Sequence, residues 1–175
     1  MKKVLSRSFI VISAILTICL CACAPHEATY KATYNSQEIL KIETVWNEGF
    51  APFTREFVRT FDFQHGKVID IWKADEADLD KENRNQYNNP KEIVTFTEKQ
   101  GQTLIDKIGT LGFFDWEKEY KTNDEIHDAG AHRVLVYFAD GTEKSTVIYF
   151  LEPPNYKEIK NAIEDAFGVT MYVPL

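Results

Sequence analysis

Two imidazoles and three carboxylates fall within nine residues, in the run Asp124-Glu125-Ile126-His127-Asp128 followed by His132. Imidazole nitrogen and carboxylate oxygen are donors that zinc accepts, and a loop leading into a strand could bring Asp124, His127, Asp128 and His132 to one ion. The two histidines are five residues apart, which is neither the i, i+4 pair of a zinc-binding helix nor another diagnostic interval. The run therefore reads first as a solvated loop with an imidazole that titrates near neutrality, and no cofactor is expected. A second acidic run, Asp78-x-Asp80-x-Glu82, spaces oxygens at alternate positions as a calcium loop does. It departs from that loop at Asn83, where the sharp turn wants glycine, and at Asn89, where a bidentate Glu belongs. It reads as a charge run that keeps a loop in water. Trp46, Trp72, Trp116, Tyr87 and Tyr120 would stack on sugar rings if exposed, but large rings more often fill a core. Tyr87, inside a polar stretch, is the best candidate for an exposed stacking ring.

The N-terminus carries Lys2, Lys3 and Arg7, then an apolar run of twelve residues from Phe9 to Leu20, broken by Ser13 and Thr17. A membrane-spanning helix needs about 20 apolar residues, so the run fits the apolar region of a secretory signal. Leu20-Cys21-Ala22-Cys23 follows it. This resembles the lipobox of bacterial lipoproteins, with Leu at −3, a small residue at −1 and the acceptor cysteine at +1; Cys21 departs from the usual Ala, Ser or Thr at −2. The resemblance implies diacylglycerol on Cys23, cleavage by signal peptidase II between Ala22 and Cys23, and anchorage to the cell membrane facing the extracytoplasmic side. The expected organisation is a signal peptide over 1–22, a lipidated tether over 23–36 and one globular domain over 37–175.

Cleavage would remove three positive charges and no negative ones, leaving 17 Lys+Arg against 27 Asp+Glu, a net charge of −10. That balance argues against nucleic acid, whose phosphates select basic surfaces, so the expected partners are the lipid membrane through Cys23 and an envelope protein or small ligand. Cys23 would be the only cysteine left, which removes disulfides, thiol catalysis and cysteine–metal sites. Neither remaining serine, Ser36 or Ser145, has a nucleophile context. No glycine-rich phosphate loop is present. Paired carboxylates across a cleft could hydrolyse glycans, but 27 acidic residues always supply some pair.

The elements that must position these groups are legible in outline. Ile39 to Trp46 suits a first strand. Phe57, Phe61 and Phe63 share a face with Arg59 as the exception, and Gln64-His65-Gly66 turns the chain into a second strand over Lys67 to Lys73. Asp75 to Asn89 is polar, and Ile93 to Phe96 is extended. Thr97 and Gln100 have capping-box spacing, ahead of a helical stripe of Leu104, Ile105, Ile108 and Leu111 that stops at Gly112. Glu117 to Gly130 reads as a polar loop. Arg133 to Ala139, Asp140-Gly141 and Thr146 to Leu151 form a second hairpin, with both turn residues tolerating positive φ. Asn155 is placed to cap a helix with buried stripe Tyr156, Ile159, Ala162, Ile163, Ala166 and Phe167, closed by Gly168, and Thr170 to Val173 is a short apolar tail. The order β-ββ-α-ββ-α predicts an α+β domain: a mainly antiparallel sheet of two hairpins plus an extra strand, with two helices on one face.

Phe96-Thr97, Gly112-Phe113-Phe114-Asp115-Trp116, Phe138-Ala139-Asp140-Gly141-Thr142 and the Pro-Asn helix start together resemble a loose group of uncharacterised small lipoproteins of Gram-positive, clostridia-like bacteria, over about residues 55–168. The resemblance implies location and architecture and no activity. The expected function is a non-enzymatic binding or interaction module on the outside of the membrane. The alternative is an envelope hydrolase or metal-dependent enzyme using the Asp124–His132 loop.

Overall fold

The alternating segments at 39–47 and 56–73 form three antiparallel strands, β1 (Ile39–Asn47), β2 (Glu56–Asp62) and β3 (Lys67–Lys73). The structure is a computed structural model that describes residues 38–47, 56–74, 79, 86–122 and 131–172. The chain divides into the units Met1–Lys31 and Ala32–Leu175, and every described residue belongs to the second. The expected signal peptide, Cys23 and the expected tether lie outside the described residues. Among the described residues no helix is long and apolar enough to cross a membrane.

Along the chain follow β4 (Lys91–Thr95), α1 (Glu98–Thr110), a 3-10 turn at Phe113–Asp115, β5 (Glu119–Tyr120), β6 (His132–Phe138), β7 (Glu143–Ile148) and α2 (Tyr156–Phe167). The sheet has seven strands in the order β4-β3-β2-β1-β6-β7-β5. Every neighbouring pair is antiparallel except β5 with β7. The class is α+β, as expected, and the two anticipated hairpins are β2–β3 and β6–β7. β1 lies between them and pairs with both, which explains why Ile39, Ile42 and Thr44 are almost wholly buried.

Local chemistry sets the boundaries. Gly66 has φ +64°, and a Cβ there would stand 2.4 Å from the Phe96 carbonyl oxygen, so the hairpin turn and the end of β4 meet through a residue that has no side chain. Thr97 and Gln100 form the anticipated capping box at the start of α1. In the second hairpin only Gly141 takes positive φ; Asp140 instead accepts from the Thr142 amide and hydroxyl, which stabilises the turn without a left-handed aspartate.

Asn155 departs from expectation. Its backbone is left-handed (φ 55°) and its side chain makes no cap bond; Nδ2 donates instead to the Leu111 carbonyl at 3.0 Å, joining the start of α2 to the end of α1. The polar stretch after Trp116 also differs, since it contributes β5, held by Val147 N to Lys118 O and Tyr149 N to Tyr120 O. Two residues with one half-buried ring carry too little alternation to be read as a strand. The extended segment at 93–96 is the edge strand β4.

Both helices cover one face of the sheet. Leu104, Ile105 and Ile108 of α1 and Ile159, Ala162, Ile163 and Phe167 of α2 close on Ile42, Phe61, Val68, Val134 and Val136 in one core cluster. Phe167 stacks on Phe96 at 4.3 Å and on Phe61 at 6.1 Å. Each fully buried Ile or Phe stabilises the fold by about 1.5–3 kcal/mol. Trp116 is buried in the same cluster, with Nε1 donating to the Pro154 carbonyl at 3.1 Å.

Candidate functional site

Pleating places residues on the helix side in rows that run across the strands. The first row, Val68–Phe61–Ile42–Val136, lies under the helices. The next is Asp70–Arg59–Thr44–Val134–Thr146, and beyond it comes Trp72–Phe57–Trp46–His132–Ile148. Arg59, the apparent exception on the Phe57/Phe61 face, does point inward and is 6% exposed. Its Nε and Nη2 donate to the two Asp70 carboxylate oxygens at 2.7 Å each, and Nη1 donates to the Thr170 carbonyl. Thr44 Oγ1 donates to the Met171 carbonyl at 2.7 Å. The tail after α2 is thereby strapped across the polar row, which buries Met171.

The strap delivers Tyr172 to the third row, where its ring meets His132 edge-on at 4.3 Å between centroids. Beside it opens a cleft of about 760 Å³. Its floor and walls include Trp46, His132 and Ile148 from the sheet, Tyr156, Lys160 and Glu164 from α2, and Met171 and Tyr172 from the strap. Phe150, 62% exposed, forms part of the rim, with Leu151 next in the chain 48% exposed; these are the large exposed apolar side chains among the described residues. β7 ends at Ile148, short of the expected Leu151, because the chain bends there and turns these two side chains outward.

The polar groups of the cleft are poorly matched within the protein. His132 Nδ1 and the Tyr172 hydroxyl are buried without hydrogen-bond partners among the described residues. Burial, followed by the nearby Lys160 charge, holds the His132 pKa below its ordinary value. Burial also pushes the Tyr156 hydroxyl up to about 12 and the Tyr172 hydroxyl well above the ordinary tyrosine value; the two hydroxyls influence each other without meeting hydrogen-bond geometry. The Lys160 ammonium lies 4.8 Å from the Tyr156 ring centre, and no carboxylate among the described residues pairs with it. Glu152 and Glu164 at the margin are exposed.

Of the residues anticipated for metal, His132 is described and sits at the start of β6 facing Tyr172 and Lys160; Asp124, His127 and Asp128 lie outside the described residues, as do Asp78, Asp80 and Glu82. Among the described residues no three His, Cys, Asp or Glu side chains gather to hold a metal ion. Tyr87 is half-buried next to Asn88, which is fixed by its amide on the Trp72 carbonyl at 2.7 Å and its side chain on Ala74. Trp46 lines the cleft and stands 6.2 Å from Trp72, whereas Trp116 belongs to the core. A smaller recess of about 470 Å³ lies at Leu40, Phe63, His65 and Phe96. There His65 Nδ1 is already paired with Asp62 at 2.8 Å.

Sequence reasoning missed Lys160, Phe150 and Tyr172. One signal was present: Tyr156 and Lys160 stand four residues apart on α2, which sets a lysine beside a buried ring. No family model, curated protein or solved structure matches the chain.

Proposed function

We propose that the protein is a lipid-anchored extracytoplasmic binding module whose ligand site is the cleft between α2, the strap and the β6–β7 end of the sheet. The observation that carries this reading is the cleft itself: an aromatic and aliphatic hollow of about 760 Å³ lined by Lys160, whose ammonium pairs with no carboxylate among the described residues. Ligand sites are concave, largely apolar and supplied with a few convergent polar groups. His132 Nδ1 and the Tyr172 hydroxyl, buried in the wall beside the cleft, mark it as incompletely satisfied among the described residues, at a cost of about 1–3 kcal/mol for each such atom. The lipobox-like Leu20-Cys21-Ala22-Cys23 supports the location. Acyl chains contribute about 0.8 kcal/mol per buried methylene, so two of them hold a protein at a membrane without help from its acidic surface.

Two experiments test the parts separately. Labelled fatty acid should enter the wild-type chain and not Cys23→Ala; equal labelling refutes the anchor. For the site, the protein is isolated from its own membranes and weighed by native mass spectrometry. The wild type should carry a non-covalent small molecule that is absent from Asn161→Trp, in which an exposed residue of the cleft margin is replaced by a ring that fills it. Identical ligand-free spectra, with no mass gained after incubation in spent growth medium, refute the binding reading.

A further inference from the structure

The proposed cleft carries enough chemistry to name the class of molecule it takes, an inference that rests on the binding reading above. We infer that the ligand is a small organic carboxylate with an aromatic or branched apolar body, its carboxylate on Lys160 and its body against Trp46, Ile148 and Phe150.

The argument begins with charge. The chain carries 27 acidic and 20 basic residues, so a lysine has many carboxylates to choose from. Lys41, Lys67, Lys107 and Lys121 pair with Glu43, Glu92, Asp165 and Glu119; of the other described lysines only Lys144 and Lys160 are half-buried, and Lys144 donates to the Phe114 carbonyl. Lys160 forms no ion pair among the described residues, and Glu164, one helical turn on, is exposed and stands in the weaker Lys-before-Glu order. Its ammonium is instead drawn over the Tyr156 ring at 4.8 Å. It is half-buried, while Glu152 and Glu164 are exposed. Water and salt screen the exposed carboxylates more than they screen the half-buried cation, so the Lys160 field is the less screened one reaching the cleft, while Glu152 at the margin acts in the opposite sense on Tyr156. His132, across the cleft on β6, feels that field. An anion seated between α2 and β6 would lie where the field is felt.

The surroundings exclude a small hydrated anion. Trp46, Ile148, Tyr149, Phe150, Tyr156 and Met171 surround the cleft with apolar surface, and Phe150 is 62% exposed. A phosphate or acetate alone would leave that surface wet, whereas a carboxylate bearing a phenyl-sized body would cover it. The neutral part also sets the polarity of the molecule: charged end toward α2, apolar end toward the Phe150 rim.

Four probes test this on the full-length protein in detergent by titration calorimetry: 3-phenylpropionate, 3-phenylpropanol, 3-phenylpropylamine and acetate. The carboxylate should bind at least tenfold more tightly than the alcohol and the amine, and acetate should bind at least tenfold more weakly than 3-phenylpropionate. In Lys160→Met, which keeps the aliphatic stem and a good helix former, the preference for the carboxylate over the alcohol should vanish while the alcohol's own affinity is unchanged. Equal affinity for the three phenyl compounds overturns the inference and leaves a cleft that binds without regard to charge. So does an undiminished preference in Lys160→Met. Failure of every probe also overturns it, while the mass-spectrometric experiment judges the binding reading independently.

Discussion

Replacement of Arg59 by Met should be among the most destabilising single changes outside the apolar core, because it breaks the connection between sheet and strap. The Arg59 and Asp70 side chains are 7% and 18% exposed. Breaking a buried ion pair by removing one partner costs about 3–5 kcal/mol; Asp70 keeps some contact with water, which puts the pair near the lower end, at about 3 kcal/mol. Loss of the bond to the Thr170 carbonyl adds about 1 kcal/mol. The expected loss is therefore about 4 kcal/mol for Arg59→Met and about 3 kcal/mol for Asp70→Leu. The double variant Arg59→Met/Asp70→Leu leaves no charge stranded and should cost only about 1–2 kcal/mol, less than either single change. Urea unfolding followed by far-UV circular dichroism measures all four chains. With m near 2 kcal/mol per molar, the Arg59 variant should shift the midpoint by about 2 M at unchanged m. A loss below about 1 kcal/mol, or single costs that simply add in the double variant, would refute the reasoning that this pair is a buried clamp.

Asn155 combines a left-handed backbone with a bond to Leu111, so Asn155→Ala should cost about 2 kcal/mol, from strain and the lost bond together. Asn155→Gly, which relieves the strain, should cost about 1 kcal/mol or less, and thermal melts showing the two equal would count against that division. Gly66→Ala should cost over about 3 kcal/mol, because the added methyl meets a backbone carbonyl as well as a positive φ. Gly141→Ala, at φ +85° in open space, should cost only the conformational part of about 1–2 kcal/mol; equal losses in denaturant titrations would contradict the contact. His132 supplies a pH dependence. Its folded pKa lies below the ordinary 6.5, so the unfolded chain takes up the proton first, and stability present above pH 6.5 declines as pH falls below it, by at most about 1.4 kcal/mol per unit. His132→Phe should flatten the stability profile below about pH 6.5 relative to the wild type, and parallel profiles would show that this imidazole is not the group responsible.

The hairpins and helices were readable because each rests on a local rule. Gly66 supplies the positive φ of the first turn, Thr97 and Gln100 reciprocate at the start of α1, and the α2 stripe from Tyr156 to Phe167 repeats at helical spacing. The site was not readable because its parts are local to nothing. Arg59 interrupts a run of phenylalanines, and only the register that sets it opposite Asp70 and Thr44 shows why. Tyr172 reads as part of an apolar tail until the strap carries it back over β1. Asn155 obeys the cap pattern in sequence, yet its side chain serves the preceding helix, since a left-handed backbone aims it at Leu111 instead of at its own third residue. Trp46 is one of five rings that could stack on a sugar, and nothing in the spacing marks it as the one beside the cleft while Trp116 belongs to the core.

The proportions of the sheet and its helices explain why such a cleft exists. Seven strands at about 4.8 Å spacing span roughly 29 Å, and strands of about seven residues run roughly 23 Å. Helices of 13 and 12 residues are only about 18–20 Å long and about 10 Å wide. Two of them therefore cover little more than half of the face they share. Bare backbone cannot close the remainder without partners for its polar groups, and the polar row Asp70–Arg59–Thr44 is where those partners are provided: the guanidinium and the threonine hydroxyl take the carbonyls of Thr170 and Met171. A strap of so few residues crosses the face without filling it. Past the strap, the row of Trp46, His132 and Ile148 is left with a helix flank on one side and a bent strand end on the other. The buried ion pair and Lys160, without a carboxylate among the described residues, are thus two consequences of one geometric shortfall: the first closes part of the face, and the second stands at the part left open.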